Sequence, residues 1–224
     1  MISLKDVHKT YTLGEDEVRA VDGVNLEIRQ GQYASILGTS GSGKSTLMHI
    51  IGLLDKPTSG KVSLFGRDPR KLSDNEISRL RNANIGFVFQ QFNLIEKLTI
   101  KENCILPTIY AEKIDFDPEK KAMEVLVKLG IADRADFYPN KISGGQQQRA
   151  AIARALIMSP KLILADEPTG NLDSKTGDEI MDLLDSLNRE LKVTVIVVTH
   201  EAEIAKRTKR EIYIKDGKIV KKYL

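Results

Sequence analysis

The chain has 224 residues, 41% of them hydrophobic, and its 34 basic and 31 acidic side chains leave a formal net charge of +3. A chain of this size can bury the core of one domain, or of one domain with a subdomain. Its nearly balanced charge gives no electrostatic reason to expect a nucleic-acid-binding face. No apolar run is as long as a membrane span, no signal-peptide pattern is present, and the single cysteine, Cys104, excludes an intrachain disulfide. We therefore expect a soluble, cytoplasmic protein in which Cys104 is a packed residue rather than a nucleophile.

The first part of the chain is predicted to be rich in β structure. Residues 2–11 alternate apolar and polar side chains, and residues 18–28 are rich in strand formers. Turn signals separate the elements that follow. These are a buried strand at 33–37, a helix at 46–54, a strand and then a turn within 61–66, a helix at 73–81 and a buried strand at 85–89. Ser73 and Glu76 form the capping-box pattern at the start of the second helix.

The pattern changes between residues 91 and 140, where strand signals disappear. Helices are predicted at 101–110 and 118–129, the second with Asp117 as N-cap and Gly130 just beyond its end. The remaining predicted elements are a helix from Ser143 to about 157, a strand at 161–165, a helix at 174–189, a strand at 193–199, a helix at 202–206 and a hairpin at 211–223 turning at Asp216-Gly217. We predict one α/β domain over 1–224, in which a mostly helical subdomain, 91–140, is inserted into a core formed by 1–90 and 141–224.

One nonapeptide carries a strong phosphate-binding signal. Residues 38–46, GTSGSGKST, fit the P-loop pattern and lie between a predicted strand and a predicted helix. The glycines let backbone N–H groups approach phosphate oxygens, and the helix N-terminus adds the positive end of its dipole. Lys44 can reach the β- and γ-phosphates, and the Ser45 hydroxyl can ligate Mg²⁺. A Gly/Ser-rich surface turn, the alternative, would need neither the Lys-Ser pair nor apolar flanks, so the pattern predicts the core of a P-loop NTPase.

Polar side chains also follow three other predicted strands. Asp166 and Glu167 end the strand LILAD, where Asp166 suits Mg²⁺, usually through water, and Glu167 suits a general base for the attacking water. A parallel sheet would deliver Asp166 beside the P-loop. Gln90 could contact Mg²⁺ or the water, and His200 could hydrogen-bond a γ-phosphate. The alternatives are a turn for the carboxylate pair, a polar strand end for Gln90, and a structural role for a lone histidine, which we assign to His8 and His49.

A second helix N-terminus predicts an anion site without a lysine. Residues 142–149, ISGGQQQR, open a helix with Ser143, whose hydroxyl and neighbouring N–H groups could contact a phosphate. One chain would then hold two phosphate-binding helix ends but only one P-loop lysine. The economical interpretation is a dimer, in which each nucleotide lies between the P-loop of one chain and the Ser143 segment of the other.

Taken together and in order, these motifs resemble the nucleotide-binding subunit of ATP-binding cassette (ABC) transporters. The resemblance rests on GTSGSGKST, Gln90, ISGGQQQR, LILADEP, Asn171-Leu172-Asp173 and His200 and covers essentially the whole chain. It implies a P-loop NTPase core with mixed sheet and an N-terminal antiparallel β subdomain, with ATP and Mg²⁺ as cofactors. Thr39 and Ile142 depart from the residues usual in the family, but neither side chain is expected to contact phosphate.

The resemblance also implies a role for each matching residue. Tyr11 would stack on adenine, with a core strand aromatic as the alternative. The remaining ATP contacts would come from Gly38, Ser40, Gly41, Ser42, Gly43, Lys44, Ser45 and Thr46 and, across the dimer, from Ser143, Gly144, Gly145 and Gln146. Ser45, Gln90 and Asp166 would hold the metal, Glu167, Gln90 and His200 would act in hydrolysis, and Asp173 would lie at the dimer seam.

A finer resemblance concerns residues 86–94, GFVFQQFNL, and 165–174, ADEPTGNLDS, which are similar to the macrolide-export and lipoprotein-release subfamily. This implies separate integral membrane permease subunits and a location on the inner face of the cell membrane. A soluble ABC ATPase acting on DNA or ribosomes is the main alternative. The compact interval between the P-loop and ISGGQ and the single cassette argue against it. A cell-division type of regulator that transports nothing is not separated from an exporter by sequence.

Overall fold

The computed structural model describes residues 1–14 and 16–221. The chain divides into two compact units, the first formed by Met1–Ser78 and Thr194–Leu224 and the second by Arg79–Val193. Strands and helices occur in both, so the predicted α/β class is confirmed. The predicted inserted subdomain, 91–140, lies within the second unit and has no strand, and its status as a separate subdomain stays a prediction.

The first unit contains a three-stranded antiparallel sheet, as predicted for the N-terminal region. Its strands are β1 (Ile2–Leu13), β2 (Asp16–Ile28) and β4 (Ser59–Leu64), in the order β2-β1-β4. Ile2 pairs with Ile28 and with Leu64, and all three side chains are buried. Alternation along β1 and β2 therefore places one face of the sheet on the core.

A second group of strands in this unit is mixed. β7 (Thr194–Thr199), β3 (Tyr33–Leu37) and β8 (Arg210–Lys215) are parallel neighbours, and β9 (Lys218–Val220) pairs antiparallel with β8. The hairpin between β8 and β9 turns at Asp216 and Gly217, with φ of 47° and 75°. Positive φ at both central residues is the type I′ geometry that the Asp-Gly pair predicted. The predicted end of this hairpin, residue 223, lies outside the described residues.

The first unit also carries helices α1 (Lys44–Ile51) and α7 (Ala202–Lys206). The sequence predicted the first of these at 46–54, which is wrong at both ends. The helix begins earlier because Gly43 takes the left-handed conformation that caps it. It ends earlier because Leu53 has a left-handed φ of 57°, which interrupts helical geometry after Gly52.

The second unit joins two parallel strands to a set of helices. β5 (Ile85–Phe89) pairs with β6 (Leu162–Asp166), and the helices are α3 (Ile100–Ile109), α4 (Pro118–Lys128), α5 (Gly144–Leu156) and α6 (Ser174–Leu191). Helix α2 (Asp74–Asn84) contains the boundary between the units and extends beyond its predicted end at 81. A Cβ on Gly86 would lie 2.3 Å from the Ala155 carbonyl oxygen, so only glycine lets α5 pack this closely on β5.

Side chains cap several helices as predicted. Ser73 and Glu76 exchange hydrogen bonds in a capping box, and Asp117 accepts from the backbone N–H groups of residues 119 and 120. Gly130 follows α4 with φ of 69°. Among the described residues, no helix combines the length and the apolar composition that crossing a bilayer requires.

Candidate active site

The P-loop leaves the buried strand β3 and enters helix α1 in the first unit. Gly43 caps the helix with φ of 100° and has no side chain to bond the first-turn N–H groups. The first turn of α1 contains no acidic residue. The positive end of the helix dipole is therefore presented to the loop without a carboxylate beside it, as an anion site requires.

Close packing fixes the shape of the P-loop. A Cβ on Gly43 would lie 2.2 Å from the Ala20 carbonyl oxygen. The turn of the β8–β9 hairpin supports the loop from another side, because the Gly217 N–H donates to the Ser42 carbonyl at 2.9 Å. The Gly217 carbonyl in turn accepts from the Asp22 N–H at 2.9 Å. Residues from β2 and from the hairpin therefore hold the loop.

Two polar groups of the P-loop fit a phosphate ligand. The Lys44 side chain is only 7% exposed, and its ammonium donates to the Thr39 carbonyl within the loop at 2.7 Å. The Ser42 hydroxyl is buried, and it has no hydrogen-bond partner among the described residues. A buried hydroxyl without a partner is costly unless a ligand satisfies it. The ammonium, this hydroxyl and the helix dipole together suit a polyphosphate.

His200 follows β7 at the sheet edge from which the P-loop starts. Leu37 of β3 pairs with Thr199 of β7, and the Gly38 N–H donates to the Thr199 carbonyl at 3.4 Å. The next residue after Thr199 is His200, whose side chain is exposed. The structure therefore brings His200 to the same edge as the beginning of the P-loop.

Tyr11, near the end of β1, is half-buried and hydrogen-bonded. Its hydroxyl donates to Asp55 Oδ2 at 2.8 Å, and the Lys9 ammonium lies 4.9 Å from its ring centroid. Burial, and then the hydrogen bond to the Asp55 carboxylate, raise the pKa of the Tyr11 hydroxyl above its ordinary value. Neither Lys9 nor Asp55 could be identified from the sequence, because neither belongs to a motif.

The second unit brings Gln90, Asp166 and Glu167 to one edge of its strand pair. Phe89 of β5 pairs with Asp166 of β6, so Gln90 and Glu167 both follow at the carboxyl ends of parallel strands. Glu167 has a φ of 44°, in the left-handed region that non-glycine residues seldom adopt. Such strain is concentrated at functional sites and is consistent with selection for the position of this carboxylate.

Asn171 contacts Gln90, which the sequence did not predict. Its side-chain amide donates to the Gln90 backbone carbonyl at 2.9 Å, and the Gln90 amide donates to Asn171 Oδ1 at 3.4 Å. Gly170 lies against the same side chain, since a Cβ there would be 2.7 Å from Gln90 Nε2. The segment after Glu167 therefore holds Gln90 at two points.

Ser143 begins α5 with a capping box. Its Oγ accepts from the Gln146 N–H at 3.3 Å, and Gln146 Oε1 accepts from the Ser143 N–H at 3.0 Å. The hydroxyl that was predicted to face a phosphate is thus already an acceptor, although it can still donate to an anion. The Ser143 side chain is exposed, while Gly144, Gly145 and Gln146 are half-buried.

The start of α5 packs against the start of α6. A Cβ on Gly145 would lie 2.5 Å from Thr176 Cγ2. Asp173 caps α6 and accepts from the Thr176 N–H and hydroxyl at 3.0 and 2.6 Å, and these bonds lower the pKa of Asp173. Gln148 on α5 is fully buried and donates to the Pro168 carbonyl at 2.6 Å. The Ser143 segment is therefore braced by residues that follow Glu167.

Comparison with known proteins decides the family. The profile described as "ABC transporter" matches residues 21–170. The chain belongs to the ABC transporter family. Its fold is that of the MJ0796 cassette dimer structure, with a TM-score of 0.89 at 50% identity over 98% of this chain and 96% of that one.

Other members of the ABC family are similar to this chain over nearly all of its length. MJ0796 of Methanocaldococcus jannaschii is 52% identical over 98% of this chain and 95% of its own length. A "Macrolide export ATP-binding/permease protein MacB" of Chlorobaculum tepidum is also 52% identical over 98% of this chain, which spans only 34% of that relative. A second MJ0796 structure, described as a post-hydrolysis state bound to ADP and Pi, has a TM-score of 0.89 at 49% identity, covering 98% of this chain and 96% of that one.

These findings confirm the predicted family, its ATPase class and the resemblance to macrolide-export proteins. ATP and Mg²⁺ are the cofactors expected of an ABC ATPase. Mg²⁺ bound together with phosphates needs only one or two protein ligands. Each candidate carries an oxygen donor and is at least partly accessible in its own unit, since Ser45 is exposed in the first turn of α1 and Asp166 and Gln90 are half-buried in the second unit. In the described part of the chain, no group of three or more His, Cys, Asp or Glu side chains could hold a metal alone.

Proposed function

We propose that this chain hydrolyses Mg-ATP as one half of a homodimer and that the dimer drives a separate integral membrane permease subunit. The observation that carries the proposal is the P-loop. It combines the Lys44 ammonium, a buried Ser42 hydroxyl that has no hydrogen-bond partner in the part of the chain that the structure describes, and a helix N-terminus without a side-chain cap. Its likeness to a cassette solved as a dimer and in a state with ADP and Pi supports both the reaction and the dimer.

The P-loop binds the triphosphate in this proposal. Lys44 and the backbone N–H groups contact phosphate oxygens, Ser42 donates its buried hydroxyl, and Tyr11 stacks on adenine. The remaining phosphate contacts come from Gly38, Ser40, Gly41, Gly43, Ser45 and Thr46. Ser45, Gln90 and Asp166 are the residues that would hold Mg²⁺, and the metal would supply positive charge against the developing charge of the phosphates.

Glu167 carries the chemistry of the reaction. Its carboxylate accepts the proton of the attacking water, and Gln90, fixed by Asn171, orients that water. His200 donates a hydrogen bond to the γ-phosphate. The left-handed backbone of Glu167 supports this assignment, because the fold maintains an unfavourable φ at this residue.

The dimer follows from the Ser143 segment. This helix end has no lysine, so Ser143, Gly144, Gly145 and Gln146 bind the nucleotide held by the P-loop of the second copy. Asp173, which caps the adjacent helix α6, lies at the seam. Hydrolysis removes the phosphate contacts shared by the two copies, and the dimer opens.

The membrane subunit is proposed to dock near residues 91–107. Large apolar side chains are exposed in and just beyond this segment, with Ile95 47%, Ile109 69% and Tyr110 75% exposed. Exposed apolar groups of this kind are typical of interfaces. The MacB relative is named as both ATP-binding protein and permease, so a permease partner at the inner face of the cell membrane is the corresponding proposal for this chain. Export, lipoprotein release and transmission of motion all fit such a partner.

The test is the Glu167→Gln variant. Losing a general base is expected to lower ATP turnover at least ~100-fold, while the variant binds ATP and elutes from a sizing column as a dimer only with nucleotide. Lys44→Ala is the control, which should neither bind ATP tightly nor dimerise. Turnover that persists in Glu167→Gln contradicts the role of Glu167, and a monomer at saturating ATP contradicts the dimer.

Co-purification from gently solubilised membranes tests the partner. We expect a permease with few membrane spans to be recovered with the tagged chain. Recovery of ribosomes or DNA-repair proteins without any membrane protein would contradict the transport proposal and leave the ATPase assignment intact.

A further inference from the structure

Two side chains outside the family motifs and the P-loop helix, Lys9 and Asp55, meet around Tyr11. Asp55 uses both carboxylate oxygens, since Oδ1 accepts from the Lys9 ammonium at 2.6 Å and Oδ2 from the Tyr11 hydroxyl at 2.8 Å. The same ammonium lies 4.9 Å from the Tyr11 ring centroid and donates to the Lys56 carbonyl at 2.9 Å. Tyr11 is therefore held at its hydroxyl and has a cation over its ring.

The cluster connects the ring to the P-loop helix. Asp55 follows the end of α1, and its backbone N–H donates to the His49 carbonyl of that helix at 3.3 Å. Thr46, in the first turn of α1, also acts on the Tyr11 hydroxyl, whose pKa it lowers against the larger effects of burial and Asp55. The orientation of an aromatic side chain on β1 is thus tied through Asp55 to the phosphate-binding helix.

Charge in the cluster is balanced. Burial opposes the ionised form of Asp55, but the hydrogen bonds from Lys9 and Tyr11 hold the pKa of its carboxyl below the ordinary value. The Lys9 and Asp55 side chains are only 13% and 28% exposed, so the pair is less screened than a surface ion pair. A neutral, partly buried pair orients the ring without placing a net negative charge beside a triphosphate.

We propose that Asp55 and Lys9 are positioning residues for purine recognition, because they fix the Tyr11 ring relative to the P-loop. The proposal rests on the proposed stacking of adenine on Tyr11. Lys9 covers one region of the ring, and the base stacks on the surface that remains. Asp55 acts on the base through Tyr11 alone, so it contributes to the affinity for a nucleotide and not to the affinity for its phosphates.

The test compares two probes, Mg-ATP and Mg-tripolyphosphate, by calorimetry on the full chain. Asp55→Ala is expected to lower the affinity for ATP about three- to tenfold, in the range for one lost hydrogen bond. It should change the affinity for tripolyphosphate by less than about twofold. Tyr11→Phe should have a similar effect, and Tyr11→Phe combined with Asp55→Ala should be no worse than either change alone. Tyr11→Ala should lower the affinity for ATP about tenfold or more, because it removes the aromatic ring on which the base would stack.

Asp74→Ala is the matched control, because it removes the same charge from an ion pair with Lys56 in which the Asp74 side chain is 92% exposed. It should leave the affinities for both probes unchanged.

If Asp55→Ala changes the affinity for ATP by less than about twofold while Tyr11→Ala lowers it, the positioning role is wrong and the stacking on Tyr11 stands. If Asp55→Ala lowers the affinities for both probes equally, Asp55 acts through the P-loop helix and the inference fails. If Tyr11→Ala has no effect on ATP, the proposed stacking itself is wrong.

Discussion

The side-chain amide of Asn171 donates a 2.9 Å hydrogen bond to the backbone carbonyl of Gln90. The Gln90 amide returns a longer bond of 3.4 Å to Asn171 Oδ1. Because Asn171 lies two residues before the N-cap of α6, the residue proposed to orient the attacking water is bonded directly to the segment proposed for the dimer seam. The two segments are therefore linked by side-chain hydrogen bonds.

Replacing Asn171 tests this link. Asn171→Ala removes both hydrogen bonds and is expected to lower kcat for ATP hydrolysis about three- to tenfold with KM unchanged, because Gln90 loses its orientation but the P-loop is intact. Steady-state kinetics measure the effect. Asn171→Asp is the companion variant, since it keeps an acceptor for the Gln90 amide, loses the donor to the Gln90 carbonyl and adds a negative charge there. A rise in KM without a change in kcat would show that Asn171 acts on binding instead.

Substitutions at two P-loop glycines distinguish the cost of backbone strain from the cost of steric crowding. Gly43→Ala would combine a φ of 100° with a Cβ only 2.2 Å from the Ala20 carbonyl oxygen. Gly41→Ala has a similar φ of 78° but meets nothing within 4 Å. We expect Gly41→Ala to lower the free energy of unfolding by about 1 kcal/mol and Gly43→Ala by clearly more, as measured by urea unfolding. Equal losses would mean that the loop can shift away from Ala20.

The thiol of Cys104 is predicted to be unreactive in the folded protein. Its side chain is fully buried in α3, and burial raises its pKa to about 12. Iodoacetamide at pH 8 should leave the native protein unmodified for hours and should alkylate it in urea, as mass spectrometry would show. Rapid native labelling would indicate that α3 opens readily.

The same thiol gives a pH dependence of stability. Above its ordinary pKa of 9.0, the thiol loses its proton in the unfolded chain but keeps it in the folded one until about pH 12. The folded state then binds more protons, so stability falls as pH rises through this window. Cys104→Ala should have a smaller slope between pH 9 and the highest pH at which unfolding is reversible. An unchanged slope would mean that other groups account for it.

Arg154 is expected to stabilise the segment after Gln90. Its guanidinium on α5 donates to the carbonyls of Phe92, at 2.8 Å, and of Asn93, and both of these residues have left-handed φ values of 59° and 52°. Arg154→Met should lower the free energy of unfolding by about 1–3 kcal/mol, since it leaves carbonyls without a charged donor. Arg189→Met is the control, because the Arg189 side chain is 63% exposed in its i,i+4 pair with Asp185, and it should lower the free energy of unfolding by less than about 0.5 kcal/mol. Equal losses of unfolding free energy in the two variants would contradict the stabilising role of Arg154.

The sequence predicted local elements of the structure better than it predicted the contacts that hold the candidate site residues in place. The order of strands and helices, the caps at Ser73, Asp117 and Ser143 and the turn at Asp216 followed from local sequence, because each depends on residues close in the chain. The left-handed Leu53 that ends α1 was not predictable, since leucine has no preference for that conformation.

Contacts between distant segments were also beyond sequence reasoning. Asp55 and Asn171 hold Tyr11 and Gln90 through hydrogen bonds that span 44 and 81 positions. Neither residue type indicates such a partner. Asn171 belongs to the Asn171-Leu172-Asp173 motif, but the motif did not indicate a role for it. A sequence pattern gives the residue type at a position and not the hydrogen-bond partner of its side chain.

The support of the P-loop by Gly217 has a consequence for biosynthesis. The first unit is discontinuous, and the hairpin that bonds the Ser42 carbonyl is translated only after the whole of the second unit. A ribosome-bound nascent chain that already contains residues 38–46 therefore lacks part of the scaffold that shapes them. Nucleotide capture should appear late and abruptly during synthesis, which delays ATP binding until both units have been made.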